Sequence, residues 1–396
     1  MRTVVLVLAC VVAGSSPAVT QQTERRGIVF LDLNRNERKD PGERGIPRVV
    51  VSNQDAVVQT DSSGGFRIPA NGTGVVFVSI PDGYRAVGRF WRSARDSAAA
   101  MDFALERSPS PRAFTFVHAS DTHIAPASVE RTRRLRAIVD SLKPDFLIVT
   151  GDLVRDALRV SAAEATGYYE LFRDERARFA TPMWTVPGNH EIFGIERRLS
   201  HVDPSHPLFG REMYRHYFGP DYYSFTRGGI HFVGLNTVDV DGESYYGHVD
   251  SLQLAWLARD LALIPPSMPV VTFNHIPFVS AVDQLRGLTE EPPAPTLITV
   301  KGKTLYRHLV SNALDVLTVL RTRPHVIALG GHLHVRETLM YEIDGTRTLF
   351  AQSAAIVAPT TVDPLRFPSG VTLYSVRNGM IDRGRFIALD GQRTRR

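Results

Sequence analysis

A chain of 396 residues exceeds one ordinary domain, so two folded units are expected. Its 43% hydrophobic and 22% charged residues are those of a folded, soluble protein. No run of eighteen apolar residues occurs beyond the extreme N-terminus, which excludes an internal membrane helix. The formal charge of +5 comes from scattered bases, nearly all Arg, with lysine only at Lys39, Lys143, Lys301 and Lys303. No basic stripe interleaved with aromatics is present, so no nucleic-acid binding is expected.

The chain starts Met1-Arg2-Thr3, continues apolar from Val4 to Ala13, and then turns to small residues from Gly14 to Thr20. A positive start, a short hydrophobic core and small residues at a cleavage site make an export signal over 1–20, cut after Ala18 or Thr20. The mature protein is then secreted or periplasmic. The single cysteine, Cys10, lies inside this stretch, so disulfides play no part after cleavage. The alternative is a lipoprotein anchored through Cys10, as Val7-Leu8-Ala9-Cys10 loosely fits a lipobox, but its hydrophobic core of about six residues is short for a signal.

Residues 24–105 read as a small all-β sandwich. Short β-rich runs at Gly27–Leu31, Arg48–Ser52, Val57–Thr60, Phe66–Pro69, Val75–Ile80 and Ala100–Leu105 are separated by turn clusters at Asp61–Gly65 and Asn71–Gly74. Two prolines, Pro109 and Pro111, mark 106–112 as a linker. The rhythm changes over 113–390. Apolar strands at Phe114–Ala119, Phe146–Thr150, Met183–Val186, Ile230–Leu235, Val270–Phe273 and His325–Leu329 alternate with helices. One helix carries Val129, Leu135, Ile138, Val139 and Leu142 on one face; others span Ala162–Arg178, Ser251–Leu263 and Leu305–Arg321. That alternation predicts an α/β layered domain. Several strands without helices from Thr338 to Ala388 are expected to complete a second sheet.

Five polar motifs each follow directly on an apolar strand: Asp121-Thr122-His123, Gly151-Asp152, Gly188-Asn189-His190-Glu191, Asn274-His275 and Gly331-His332-Leu333-His334. Ligands in open α/β sheets bind beyond the carboxyl ends of the strands, so the five segments can meet at one place. Imidazole, carboxylate and amide oxygen together suit zinc, manganese, iron or nickel rather than calcium. Asp121, His123, Asp152, Asn189, His275, His332 and His334 exceed what one tetrahedral ion needs and suit two ions sharing a carboxylate.

These motifs resemble the calcineurin-like metallophosphoesterase family, whose pattern is met in full over about Ala113 to Ala388. The resemblance implies a four-layer α/β/β/α sandwich, here preceded by the small all-β sandwich domain. It implies two transition-metal ions (Mn, Zn or Fe), the first held by Asp121, His123, Asp152 and His334, the second by Asp152, Asn189, His275 and His332. His190 matches the family's catalytic histidine, beside the leaving group. The implied reaction is hydrolysis of a phosphodiester or phosphomonoester by in-line attack of a metal-bridging hydroxide on phosphorus. Arg155 stands where purple acid phosphatases carry a tyrosine ligand, so a purple ferric centre is not implied. Bacterial cyclic-nucleotide and lipid phosphodiesterases look nearest, which makes the substrate a small-molecule or lipid phosphate ester.

Elsewhere the readings are blander. His118 and His231 sit within apolar strands as core histidines, and Tyr222–Phe225 reads as sheet packing. Arg155 reads as a solvated arginine, with contact to a substrate phosphate as the alternative. The loop with His201 and His206, and the stretch Ser280–Lys303, would border the site. Asp32, Asn34, Asn36, Asp40 and Glu43 match positions 1, 3, 5, 9 and 12 of an EF-hand-type calcium loop, although Glu37 stands where glycine is required; a polar turn held by Asx hydrogen bonds is the alternative. This stretch with Thr60–Phe66 resembles the B-type repeat domains of bacterial surface adhesins. From that side comes a different reading: a surface-binding protein with a vestigial phosphoesterase fold. The intact ligand set argues against it.

Overall fold

The computed structural model describes residues 24–390 apart from 95–100, 283–284, 286, 291–294 and 344. The expected export signal over 1–20 and Cys10 lie outside the described residues.

Among the described residues the N-terminal unit has eight strands: β1 (Glu24–Leu31), β2 (Val50–Ser52), β3 (Val57–Gln59), β4 (Gly65–Pro69), β5 (Val75–Ser79), β6 (Tyr84–Ala86), β7 (Trp91–Ser93) and β8 (Phe103–Arg107). They form two four-stranded sheets, β4-β1-β8-β6 and β3-β2-β5-β7. The short, Arg-bearing β6 and β7 have no apolar run and are not legible in the sequence. β8 runs into the expected linker because Glu106 and Arg107 still pair with Arg85 and Tyr84.

Residues 113–390 build two six-stranded sheets. The first contains β9 (Ala113–Ala119), β10 (Phe146–Thr150) and β11 (Met183–Val186), with α1 (Val129–Leu142) and α2 (Ala162–Arg176) as the crossovers. Two short helices, α3 (Arg197–Ser200) and α4 (Glu212–Phe218), follow. The second sheet starts with β12 (Tyr223–Arg227) and β13 (Ile230–Leu235). After the hairpin of β14 (Val238–Asp241) and β15 (Ser244–Gly247) come α5 (Ser251–Ala262) and β16 (Val270–Asn274). A second hairpin, β17 (Leu297–Val300) with β18 (Lys303–Tyr306), precedes α6 (Ala313–Leu320) and β19 (His325–Gly330). The chain closes with β20 (Glu337–Ile343), β21 (Thr346–Gln352), β22 (Thr360–Val362), β23 (Leu365–Phe367), β24 (Gly370–Arg377), β25 (Met380–Ile381) and β26 (Arg385–Ala388). The sheet orders are β11-β10-β9-β24-β25, with β26 also on β24, and β12-β13-β16-β19-β21-β20.

Alternation along each strand makes the layers. On β9, Phe114 and Phe116 face the other sheet; Phe116 stacks on Phe146 and Tyr374 and meets Phe232 edge-on, while Val117 and Ala119 face α1 and α2. On the far side, Trp256, Leu257 and Leu261 of α5 and Val316 and Leu320 of α6 cover the second sheet. This is the α/β/β/α arrangement, with parallel strands buried on both faces.

Two expectations are corrected. The helix expected over Leu305–Arg321 is only Ala313–Leu320, because Lys303–Tyr306 is a strand. It folds back on Leu297–Val300 through a two-residue turn, with Lys301 and Gly302 both at positive φ (49° and 76°), the geometry that favours tight hairpins. The segment from Thr338 onward serves both sheets, not one. β20 and β21 extend the second sheet, whereas β24 lies antiparallel to β9 in the first.

The two units share one apolar core. Phe77 on β5 and Trp256 on α5 meet edge-on, and Trp256 Nε1 donates to Ser52 Oγ (3.2 Å). Tyr222 Oη donates to Gln54 O (2.7 Å), Gln54 Nε2 donates back to Tyr222 O (2.9 Å), and Thr226 N donates to Ile80 O (2.9 Å). The N-terminal unit thus occupies the outer edge of β12. Tyr222–Phe225 is sheet packing, as expected.

Two core histidines carry a pH signature. His325 (Nε2 3.0 Å from Thr272 Oγ1) and His118 (Nε2 3.0 Å from Thr150 Oγ1) are both about 1% exposed, and burial lowers them to about 4 and about 3. Both stay neutral in the fold, while the unfolded chain takes up their protons below about 6.5. Stability is therefore fully present above that pH and is lost as pH falls toward 4. Urea midpoints between pH 7 and 4.5 should fall for the wild type and fall less steeply for His325→Gln; equal slopes would contradict this.

Candidate metal centre

Every one of the five motifs stands at the carboxyl end of a strand: β9, β10, β11, β16 and β19. From there the chain must turn its side chains inward within one or two residues. It does so by left-handed backbone at Asp121 (56°), His123 (39°), Asp152 (48°), His332 (70°) and His334 (59°). Such conformations cost on the order of 1–3 kcal/mol each for residues with a Cβ and cluster at functional sites. Close approach explains the glycines. A Cβ on Gly188 would sit 2.2 Å from Asp152 Oδ1, and one on Gly331 1.9 Å from Ser120 Oγ.

The ligand atoms converge as two groups. In the first, His334 Nε2 lies 3.2 Å from Asp121 Oδ1 and 3.2 Å from His123 Nε2, and His123 Nε2 lies 3.5 Å from Asp152 Oδ2. In the second, His275 Nε2 lies 3.2 Å from Asp152 Oδ2, 3.2 Å from Asn189 Oδ1 and 3.1 Å from His332 Nδ1. Within each group the His and Asp ligand atoms all lie within 4.8 Å of one another. All seven residues expected as ligands are brought together, and Asp152 Oδ2 faces both groups. Ring nitrogens and carboxylate oxygens pointed at one another at this spacing fit the edges of a coordination polyhedron. With neutral imidazole, carboxylate and one amide, the set fits two borderline transition-metal ions.

Electrostatics agree with cation binding. Burial alone would raise Asp152, but His275 and His190 hold it well below the carboxylate range. Burial would lower His275, but the Asp152 carboxylate raises it to about 9. A proton and a metal ion therefore compete for the space between these two side chains. His123 is lowered to about 4 and His332 well below its ordinary value, first by burial, so both present lone pairs.

A second layer of contacts fixes the rings. His275 Nδ1 donates to Thr150 O (2.7 Å), which leaves Nε2 for ligation. His190 is not in either ligand group. Its backbone N donates to Asp152 Oδ1 (3.0 Å), and its Nδ1 donates to Arg155 O (2.7 Å). That bond leaves Nε2 facing the site, 3.9 Å from Asp152 Oδ2. Arg155 acts here through its carbonyl, and its side chain is exposed.

Glu191 ends its motif and is not a ligand. It is fully buried and accepts from Leu153 N (2.8 Å), Val154 N (2.9 Å) and Gly188 N (2.6 Å), so it ties the loop after β10 to the loop after β11. Burial first, then the charge of Asp152, raises it to about 8. His308, absent from every motif, has its Nδ1 2.6 Å from His332 Nε2. His201 and His206 stay apart from the ligands; His206 packs edge-on against Phe193.

In the N-terminal unit, Asp32 and Glu43 are buried in the proposed calcium loop. Asp32 accepts from Asn34, Arg35 and Glu37 N, and Glu43 from Leu33 and Asp40 N; Asn34 and Asn36 both donate to Asp40. The five side chains do lie in one loop, and Asx hydrogen bonds hold it. Glu37, at the glycine position, takes φ 61°.

Fold and donor set are those of a hydrolase with a cluster suited to a dinuclear metal site. Residues 114–336 match the family model described as calcineurin-like phosphoesterase, and residues 33–108 that described as the N terminal of calcineurin-like phosphoesterase. The first match spans more than half of the chain, which belongs to the calcineurin-like phosphoesterase family and is a metal-dependent phosphoesterase. A probable cyclic nucleotide phosphodiesterase of Rhodococcus erythropolis is 26% identical over 249 residues, covering 60% of this chain and 77% of that protein. The 3′,5′-cyclic adenosine monophosphate phosphodiesterase CpdA of Escherichia coli is 24% identical over 252 residues, covering 60% and 74%. A cAMP/cGMP dual specificity phosphodiesterase of Mycobacterium tuberculosis is 26% identical over 186 residues, covering 43% and 52%.

If Asp152 serves both groups, its loss and the loss of a one-group ligand should differ. Elemental analysis should find both ions gone from Asp152→Ala but only one gone from His334→Ala. Equal stoichiometry in the two variants would rule out the shared oxygen.

Proposed function

We propose that this chain is an exported phosphodiesterase that hydrolyses small diesters of the cyclic-nucleotide class, using two transition-metal ions. The observation that carries the reading is Asp152 Oδ2, which faces His123 of one ligand group and His275 of the other. The relatives are phosphodiesterases, which favours a diester, and the signal-like 1–20 segment favours export.

When bound, the two ions supply electrophilic activation of the phosphoryl group and acidify water. Asp121, His123, Asp152 and His334 would hold one, and Asp152, Asn189, His275 and His332 the other. The chain's own part in the chemistry falls to His190. With Nδ1–H committed to Arg155 O, only Nε2 can carry a proton toward the departing oxygen, and the ring is braced edge-on against His123 (4.5 Å between centroids). Such a proton transfer is worth on the order of 10²–10⁴ in rate. The Arg155 bond also fixes which tautomer and which ring edge reach the leaving group.

The comparison of bis- and mono-p-nitrophenyl phosphate on the manganese-loaded full-length protein tests the diester preference. The diester should be hydrolysed with the higher kcat/KM, and a preference for the monoester would overturn it. His190→Ala should keep two ions by elemental analysis and lose about 10²–10⁴ in kcat. Unchanged turnover would remove His190 from the mechanism.

A further inference from the structure

We propose that His308 is a positioning residue for the second ion: it fixes the tautomer of His332 and couples that ligand to the β17–β18 hairpin. The inference rests on the two-metal reading above.

His332 presents Nδ1 to the second ligand group, 3.1 Å from His275 Nε2. A neutral imidazole has one proton, so ligation through Nδ1 requires that proton on Nε2. Nε2 lies 2.6 Å from His308 Nδ1, and His308 Nε2 lies 3.0 Å from Pro295 O. A carbonyl can only accept, so His308 Nε2 must carry a proton, and in the neutral ring its Nδ1 is then the acceptor. The chain of contacts then has one consistent assignment. Pro295 O accepts from His308 Nε2–H, and His308 Nδ1 accepts from His332 Nε2–H, which leaves His332 Nδ1 unprotonated for the ion. Without His308, the Nδ1–H tautomer, which cannot ligate, loses its penalty.

His308 is held by its neighbours. Arg307 N donates to Thr296 O (2.8 Å), closing the open end of the hairpin, and Gly247 N donates to Arg307 O (3.1 Å). Ser311 N donates to Gly247 O (2.8 Å), and a Cβ on Gly247 would meet Leu309 O at 2.2 Å. The Arg307 guanidinium lies over Tyr245 (4.3 Å), whose ring stands edge-on to His332 (5.9 Å). The stretch from Pro295 to Ser311 is therefore a strap laid across β15, with His308 as its contact to the metal centre. Comparable outer partners of metal-bound histidines are worth about 10–100-fold in metal affinity.

The test uses the full-length protein, stripped with EDTA and titrated with Mn²⁺, with stoichiometry by elemental analysis and activity recorded against Mn²⁺ concentration. Wild type should bind two ions. His308→Leu, which fills the space without accepting a proton, should weaken the second ion about 10–100-fold and leave the first unchanged. Its activity curve should shift to higher Mn²⁺ while kcat at saturation largely recovers. His308→Gln, which can still accept from His332 and donate to Pro295, should stay within a few-fold of wild type. Two ions bound at wild-type affinity by His308→Leu would overturn the proposal, as would a Gln variant as weak as the Leu one. Should His308→Leu fail to fold, imidazole ¹⁵N spectra of the wild type decide: the apo protein should show His332 protonated on Nε2, and protonation on Nδ1 overturns the proposal. A wild type that binds only one ion overturns the two-metal reading itself, and this inference with it.

Discussion

One carboxylate oxygen has to face two ligand groups, each of which draws side chains from both sheets. Asp152 Oδ2 meets His123 from the end of β9 and His275 from the end of β16, at 3.5 and 3.2 Å. The first sheet supplies Asp121, His123, Asp152 and Asn189, and the second supplies His275, His332 and His334. The spacing of the sheets at their carboxyl ends is thereby set by chemistry, whereas deeper down it is set by the aromatic layer of Phe116, Phe146, Phe225 and Phe232. The two must agree.

That agreement has a cost, visible as five ligands in left-handed backbone. Strain of this kind persists only where surrounding contacts over-determine it. Here they do: Glu191 ties three backbone amides together, Thr150 O orients His275, and His332 N donates to both oxygens of Asp121 (3.3 and 3.2 Å). Carboxylates and unprotonated ring nitrogens turned toward one another are well placed to meet a cation, which in turn relieves the crowding of their lone pairs.

The ligands were legible in the sequence because each is a polar break directly after an apolar run, and the runs alone place strand ends. Gly188 and Gly331 were legible for the same reason. The outer partners were not. Thr150 and Arg155 act through carbonyls, which any residue would provide. Glu191 acts on loops whose closeness is tertiary, and His308 lies on a strap with no periodic pattern. The end of β18 reads as the start of a helix because Leu305, Leu309 and Val310 also fit helical spacing, and only the left-handed pair Lys301-Gly302 argues otherwise. The place of β24 beside β9, some 250 residues away, depends on sheet assembly and leaves no local mark. In the N-terminal unit, runs of Val and Phe disclosed the inner strands but not β6 and β7, whose pairing partners do most to define them.

The docking of the N-terminal unit on β12 bears on association between molecules. A sheet edge offers unpaired amides and carbonyls to any passing strand. Here Thr226 N is already bonded to Ile80 O, and Gln54 takes both the hydroxyl and the carbonyl of Tyr222. The β-sandwich thus does for the catalytic sheet what a partner chain would otherwise do, so that intermolecular strand addition at this margin is forestalled within a single polypeptide.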